Sequence, residues 1–369
     1  MNTPNINSPL VYVGTYTFTE ERGQHRVEGI FVYRFDRATG ALTLLSTTKG
    51  VINPSFLAVD PRRRYLFAVN EVSEFAGRPG GGVSAFAIDP QTGALAALNQ
   101  QPTFGADPCY VCVDQGGKWL LAANYSGGSV AVFPIGEDGH LGPATELQQH
   151  RGSGEDPHRQ EAAHAHSVII DPSNRYALVA DLGLDRIMLY ELDSEKGKLK
   201  PYETPWVSVR PGAGPRHMAF HPGGRYLYLA NELNSTVTAF TYDASSGRLQ
   251  EIHSLSLLPD DFNGRSYSAD IHVTPSGSYL YASNRGHDSL AIFAIDQDTG
   301  RLTALGHAST LGHTPRNFAI DPAGAYLLAA NQDSDTVVTF RIDPRTGQLT
   351  LVGPVATVPS PVCVLFVEL

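Results

Sequence analysis

Cysteine is scarce, with three in 369 residues, too few for a disulfide framework. Charge is scarce as well: 17% of residues are charged, and 27 basic side chains face 37 acidic ones, a formal net charge of −10. That balance excludes a general binder of nucleic acid or of anionic membranes, because a phosphate surface demands a basic face. Any anionic ligand must be caught by a local cluster of arginines. Long apolar runs are missing too, none approaching the roughly 18 residues that span a bilayer. No segment sustains a helical period. The opening MNTPNINSPL has neither a basic stretch nor an apolar one, so no secretory signal is read and a reducing, cytoplasmic compartment is expected. Cys109 and Cys112 fall in the strand-like run PCYVCVD. Their odd separation turns the side chains to opposite faces, which favours packing over a redox or zinc pair.

Turns and repetition are abundant. With 36 Gly and 25 Pro, the chain is punctuated throughout. The phrase D-x-x-x-G-x-L recurs at Gly40, Gly93, Gly197, Gly247, Gly300 and Gly347, with a degenerate copy at Gly139; successive gaps are 53, 46, 58, 50, 53 and 47 residues. A second phrase precedes all but the first copy: an apolar alternation, a turn, then an aromatic-led strand ending in Asn or Asp, as in PRHMAFHPGGRYLYLAN. Leu10–Thr15 supplies only its second half, and the missing strand recurs as PVCVLFV at residues 361–367. Each unit reads as four short strands, and one such sheet cannot bury both faces alone. The predicted fold is all-β: a seven-bladed β-propeller of four-stranded antiparallel blades forming a single domain over residues 1–369, the ring closed by the C-terminal strand joining the N-terminal blade.

In a four-stranded meander, first-strand starts and second-strand ends share one face, here the top. The turns at the bottom are uniform, whereas the irregular insertions (Thr17–Glu28, Val72–Gly82, Glu146–Ala163 and Pro259–Tyr267) fall at the top, where a rigid scaffold usually carries its site. The repeat register brings to that mouth His166, Arg216, His217, Asp270, Arg316 and Asn317 from strand starts, and Asn70, Glu71, Tyr125, Glu232, Arg285 and Gln332 from strand ends. A bare scaffold needs no such convergence of charge.

The strings AHSVIIDP, GPRHMAFHP, YLANELNSTV and YASNRGHDSLAIF, set in seven units of this length, resemble the lactonase family of seven-bladed propellers, which contains propeller-type 6-phosphogluconolactonases and carboxy-muconate lactonising enzymes. The resemblance implies hydrolysis of a sugar lactone, foremost 6-phosphoglucono-1,5-lactone, with His166, Arg216, Glu232 and Arg285 as catalytic positions. Asp270 stands where relatives are expected to carry Glu. Lactone hydrolysis needs an aimed water, a base and a positive group at the developing oxyanion. Glu232 or His166 is the expected base and Arg216 the oxyanion partner. Arg285, with Arg316 or His217, is expected to grip a phosphate, and His217, Asp270, Arg316 and Asn317 to contact substrate.

Plainer readings compete. His166 could be a structural histidine, Arg216 and Glu232 an ion pair tying two strands, and Arg285 a blade-to-blade clamp. The strand-end asparagines recur in nearly every blade and read as turn-fixing. His158, His164 and His166 match no strong metal-ligand spacing, so neither metal nor cofactor is expected. The expected partner is a small anionic sugar lactone, not nucleic acid or membrane, with the chain a monomer or weak homo-oligomer. A muconate lactonising isomerase on the same scaffold, or a non-enzymatic binding platform, are the alternatives.

Overall fold

The computed structural model describes residues 8–18 and 28–369. Most of the Thr17–Glu28 insertion therefore lies outside the described residues. Among the described residues seven antiparallel sheets form the blades, each four strands deep, with the outer position of blade 6 shared by two short strands, Leu349–Leu351 and Ala356–Thr357. Blade 1 runs Leu57–Val59, Tyr65–Asn70, Gly82–Ile88 and Leu95–Pro102; blades 2 to 6 have first strands Pro108–Val113, Ala165–Ile170, Pro215–Phe220, Tyr267–Val273 and Pro315–Ile320. Blade 7 joins the chain ends: Pro361–Val367 pairs with Leu10–Thr15, which continues through Glu28–Phe35 to Leu42–Lys49. The expected closure is what occurs, and it pairs both edges of Leu10–Thr15. First strands of successive blades touch one another around the whole ring. One insertion is shorter than its sequence reading, because Glu146–Gln149 is the outer strand of blade 2.

Strand alternation feeds two cores at once. In blade 3, Ala177 and Val179 join the cluster shared with blade 2, while Tyr176, Leu178 and Ala180 join the one shared with blade 4. Among the described residues the apolar cores form seven such clusters, one per blade interface, so each blade relies on its neighbours to cover both of its faces.

The repeated phrases have a physical cause. All seven repeat glycines have φ between 61° and 83°, the left-handed region that an L side chain resists. Five of them also sit against the aromatic that leads the second strand of the preceding blade: Gly139 on Tyr65, Gly197 on Trp119, Gly247 on Tyr176, Gly300 on Tyr226 and Gly347 on Tyr279. Trp119 Nε1 donates to Ser194 O at 2.8 Å, and Tyr326 reaches Arg37 O in blade 7 in the same way. The glycine admits the ring and the ring's polar tip caps the hairpin, so the phrases travel together.

Candidate active site

Six of the seven inner strands, all but that of blade 1, begin with an irregularity at the end that faces the top mouth. The ladder of blade 4 pairs Pro215 with Asn231 and then His217 with Ala230, leaving Arg216 as the extra residue of a β-bulge. The same offset singles out Cys109, His166, Arg316 and Val362; in blade 5 Ala269 and Asp270 together oppose Ser283. A bulge re-aims a side chain without ending the strand. Proline precedes four of these positions, at 108, 215, 315 and 361, where strand ends tolerate a missing N–H.

The mouth holds a cavity of about 270 Å³ lined by Glu71 of blade 1, Cys109 and Tyr125 of blade 2, His166 of blade 3, Glu232 of blade 4, Arg285 of blade 5, Arg316 of blade 6, and Arg159 from the insertion before blade 3. A larger groove of about 380 Å³ lies between the bottom turns of blades 1 and 2. Arg62, Arg64 and Glu137 along that groove are exposed, like the charges of any solvated turn, whereas the charges at the top are buried or half-buried and converge.

Glu232 is the centre of that convergence. Its Oε2 accepts from Arg216 Nε at 2.8 Å and pairs with Arg285 Nη2 at 2.9 Å, while Oε1 accepts from Arg159 Nη2 at 2.6 Å. Burial by itself would raise its pKa, but the charges of Arg285 and Arg216, aided by His166 and Arg159, hold it well below the usual carboxylate range. His166 Nε2 stands 3.9 Å from Glu232 Oε2. Burial, then the Arg216 charge, push the His166 pKa well below 6.5, so its imidazole is neutral at physiological pH. Burial also lowers Arg216, to about 10, with Arg285 adding repulsion, yet it remains a cation. Burial, then the Glu71 charge, push the Cys109 thiol up, which makes it a poor nucleophile.

Glu71 faces this cluster across the mouth, accepting from Tyr16 OH at 2.8 Å and from the Ser55 hydroxyl. Arg316 lies over the Tyr16 ring, with its Nη2 3.9 Å from Glu71 Oε1. Among the described residues the Arg316 side chain makes no hydrogen bond, and Arg285 Nε is buried without a partner. Both guanidiniums keep donor capacity in reserve.

The family model "Lactonase, 7-bladed beta-propeller" matches residues 10–366. The chain belongs to this family. It is 39% identical to the 6-phosphogluconolactonase of Bacillus subtilis over 358 residues, covering 97% of this chain and 98% of that one. The 6-phosphogluconolactonase of Formosa agariphila is 38% identical over 79% of this chain and 82% of its own. Among solved structures, the periplasmic gluconolactonase of Pseudomonas aeruginosa superposes with a TM-score of 0.90 at 36% identity, covering 98% and 99% of the two chains.

Of the residues expected at the mouth of this family member, His166, Glu232, Arg285 and Arg316 line the cavity. Arg216 lies directly beneath Glu232, 1% exposed. His217, Asp270 and Asn317 are not lining residues; they form a hydrogen-bonded tier below Arg216. The repeat register places Glu71 and Tyr125 at the mouth without giving them a role, and the strand pattern makes Cys109 scaffold, whereas all three line the cavity. Arg159 carries no signal in the sequence, because its insertion follows no repeat. His164 is engaged by Tyr125 O and Glu161, and no three His, Cys, Asp or Glu side chains among the described residues gather as metal ligands.

Proposed function

We propose that the mouth hydrolyses a sugar lactone, with 6-phosphoglucono-1,5-lactone the leading substrate. The observation that carries this reading is the cluster around Glu232: one ionised carboxylate held by three guanidiniums within 2.9 Å, with a neutral imidazole 3.9 Å away. Four arginines face two glutamates here, a positive site in an acidic protein, which suits an anionic ligand.

His166 is the general base. Glu232 is held too acidic for the task, whereas His166 is neutral and its imidazolium, once formed, faces a carboxylate. A water held between His166 Nε2 and Glu232 attacks the carbonyl carbon and gives its proton to the imidazole. The tetrahedral oxyanion draws on the Arg216 charge. Collapse breaks the ring C–O bond, the proton passes to the departing alkoxide, and the new acid ionises. No covalent nucleophile is required. Because a lactone is already prone to open, a general-base gain of about 10² to 10⁴ together with one oxyanion partner suffices. Arg285 and Arg316, the guanidiniums with donors to spare, take the phosphate.

The test follows proton exchange in weak buffer on 6-phosphogluconolactone, gluconolactone and a carboxylated muconate, a proton being released when a lactone opens and taken up when a muconate closes, with spontaneous opening subtracted. Turnover of the phosphorylated lactone above the unphosphorylated one is expected. Turnover of the muconate alone, or of none, overturns the reading.

A further inference from the structure

Beneath the cavity, Asp270 accepts five hydrogen bonds. Its Oδ1 receives His217 Nδ1 at 2.8 Å and Ile271 N at 3.0 Å; its Oδ2 receives His272 Nε2 at 2.9 Å, Asn317 Nδ2 at 2.5 Å and Phe318 N at 3.3 Å. Asn317 cannot turn its amide over, because its Oδ1 accepts from Val364 N at 2.6 Å. Burial opposes charge on Asp270, but His272 and the donors around it hold its pKa far down. It is an acceptor only.

That fixes the proton of His217. With a carboxylate 2.8 Å from Nδ1, the hydrogen sits on Nδ1 and Nε2 presents a lone pair. Nε2 lies 3.3 Å from Arg216 Nη1, which can only donate. The same Nη1 donates to Ala269 O at 2.6 Å, and Nε to Glu232 at 2.8 Å. Two edges of the guanidinium are thereby set, and Nη2 is left without a hydrogen bond among the described residues. The opposite tautomer would turn an N–H against a cation. Burial, then the Arg216 charge, depress the His217 pKa to about 4, which keeps the lone pair available at working pH. The His217 ring also packs edge-to-face on His166, centroids 5.2 Å apart.

We infer that Asp270 and His217 are positioning residues: the carboxylate selects the imidazole tautomer, and the imidazole lone pair orients the Arg216 guanidinium for the oxyanion while bracing the His166 ring. This rests on the lactone-hydrolysing reading of the cavity.

Two substitutions separate positioning from mere filling of the tier. His217→Gln keeps an acceptor near the place of Nε2 but loses the donor to Asp270; His217→Asn keeps that donor and loses the acceptor toward Arg216. The expected result is that His217→Gln retains kcat within about tenfold, whereas His217→Asn loses about 10²-fold, the scale of one oxyanion contact, with KM changed less than threefold in both. A purely structural role, satisfying buried Asp270, ranks them the other way, and that order or equal kcat in the two overturns the proposal. If neither variant folds, nitrogen NMR of the histidines in wild-type protein decides: His217 must be the neutral Nδ1–H tautomer near pH 7, and an Nε2–H tautomer or an imidazolium contradicts it. Wild-type protein that opens no lactone removes the functional reading, while the tautomer measurement still tests the positioning claim.

Discussion

Arg159 Nη2 lies 2.6 Å from Glu232 Oε1 although 73 residues separate them. The insertion that carries Arg159 is tied down at both ends. Its first residue, His150, donates from Nδ1 to Asp181 Oδ2 at 2.6 Å and is met at Nε2 by Tyr190 OH at 2.8 Å; near its far end His164 N donates to Asp181 Oδ1 at 2.8 Å. Five other blades end this strand in Asn, at 70, 124, 231, 284 and 331. Asp181 in blade 3 thus anchors the loop that delivers Arg159. With its side chain 32% exposed, Arg159 is the guanidinium around Glu232 best placed to exchange that carboxylate for a bound anion.

Replacing Arg159 with Ala is therefore expected to raise KM for the phosphorylated lactone by about ten- to a hundredfold, the range of one hydrogen bond to a charged group. Stability should fall by no more than about 1 kcal/mol, because a partly exposed pair contributes little. Steady-state kinetics and a thermal melt check both. A large loss of stability with KM unchanged would make Arg159 a structural clasp.

The pH profile tests the choice of base. His166 has a folded pKa well below 6.5, so kcat/KM should hold its plateau as pH falls through 6.5, with the acid limb displaced well below. An inflection near 6.5 would mean that the base is an ordinary, exposed imidazole.

Acid stability follows from the same burial. The native pKa values of His166 and His217, the latter about 4, lie below the unfolded value of about 6.5. Between those limits the unfolded chain binds more protons than the folded one, and stability falls as pH falls. Glu232 and Asp270, whose pKa values are lowered, contribute stability above the unfolded carboxylate range and lose it as acid reaches their native values. Melting temperature should thus begin to drop near pH 6.5 and steepen below 4, and His217→Gln should flatten the upper part. A melting temperature constant from pH 7 to 5 would contradict this.

Arg216→Lys keeps the charge but not the planar fork that serves Glu232, His217 and Ala269 O together. The expected outcome is a kcat lower by about 10²- to 10³-fold with little change in KM, since the Arg216 charge is assigned to the oxyanion that develops only in the transition state. Unchanged kcat would remove Arg216 from the chemistry.

The repeat phrases made the ring legible because the physics behind them repeats: a glycine at positive φ, an aromatic on it, and an Asp whose side chain gathers the next turn, as Asp171 does for Arg175 N and Tyr176 N. The same register brought His166, Arg216 and Arg316 to equivalent bulges. Depth was not legible, since neighbours such as Arg216 and His217 carry equally polar side chains and only the bulge decides which one rises to the mouth. Arg159 was invisible because an insertion has no register to count from. Asp181, standing where its counterparts are Asn, was the one letter that marked where that insertion is anchored.

The most direct measurement is a crystal structure with bound 6-phosphogluconate, the product of the proposed reaction. The account predicts its carboxylate beside His166 and Arg216 and its phosphate on Arg285 and Arg316, with Arg159 drawn off Glu232. A product seated in the groove between the bottom turns of blades 1 and 2, or a mouth that stays closed on its own ion pairs at saturating ligand, would contradict it.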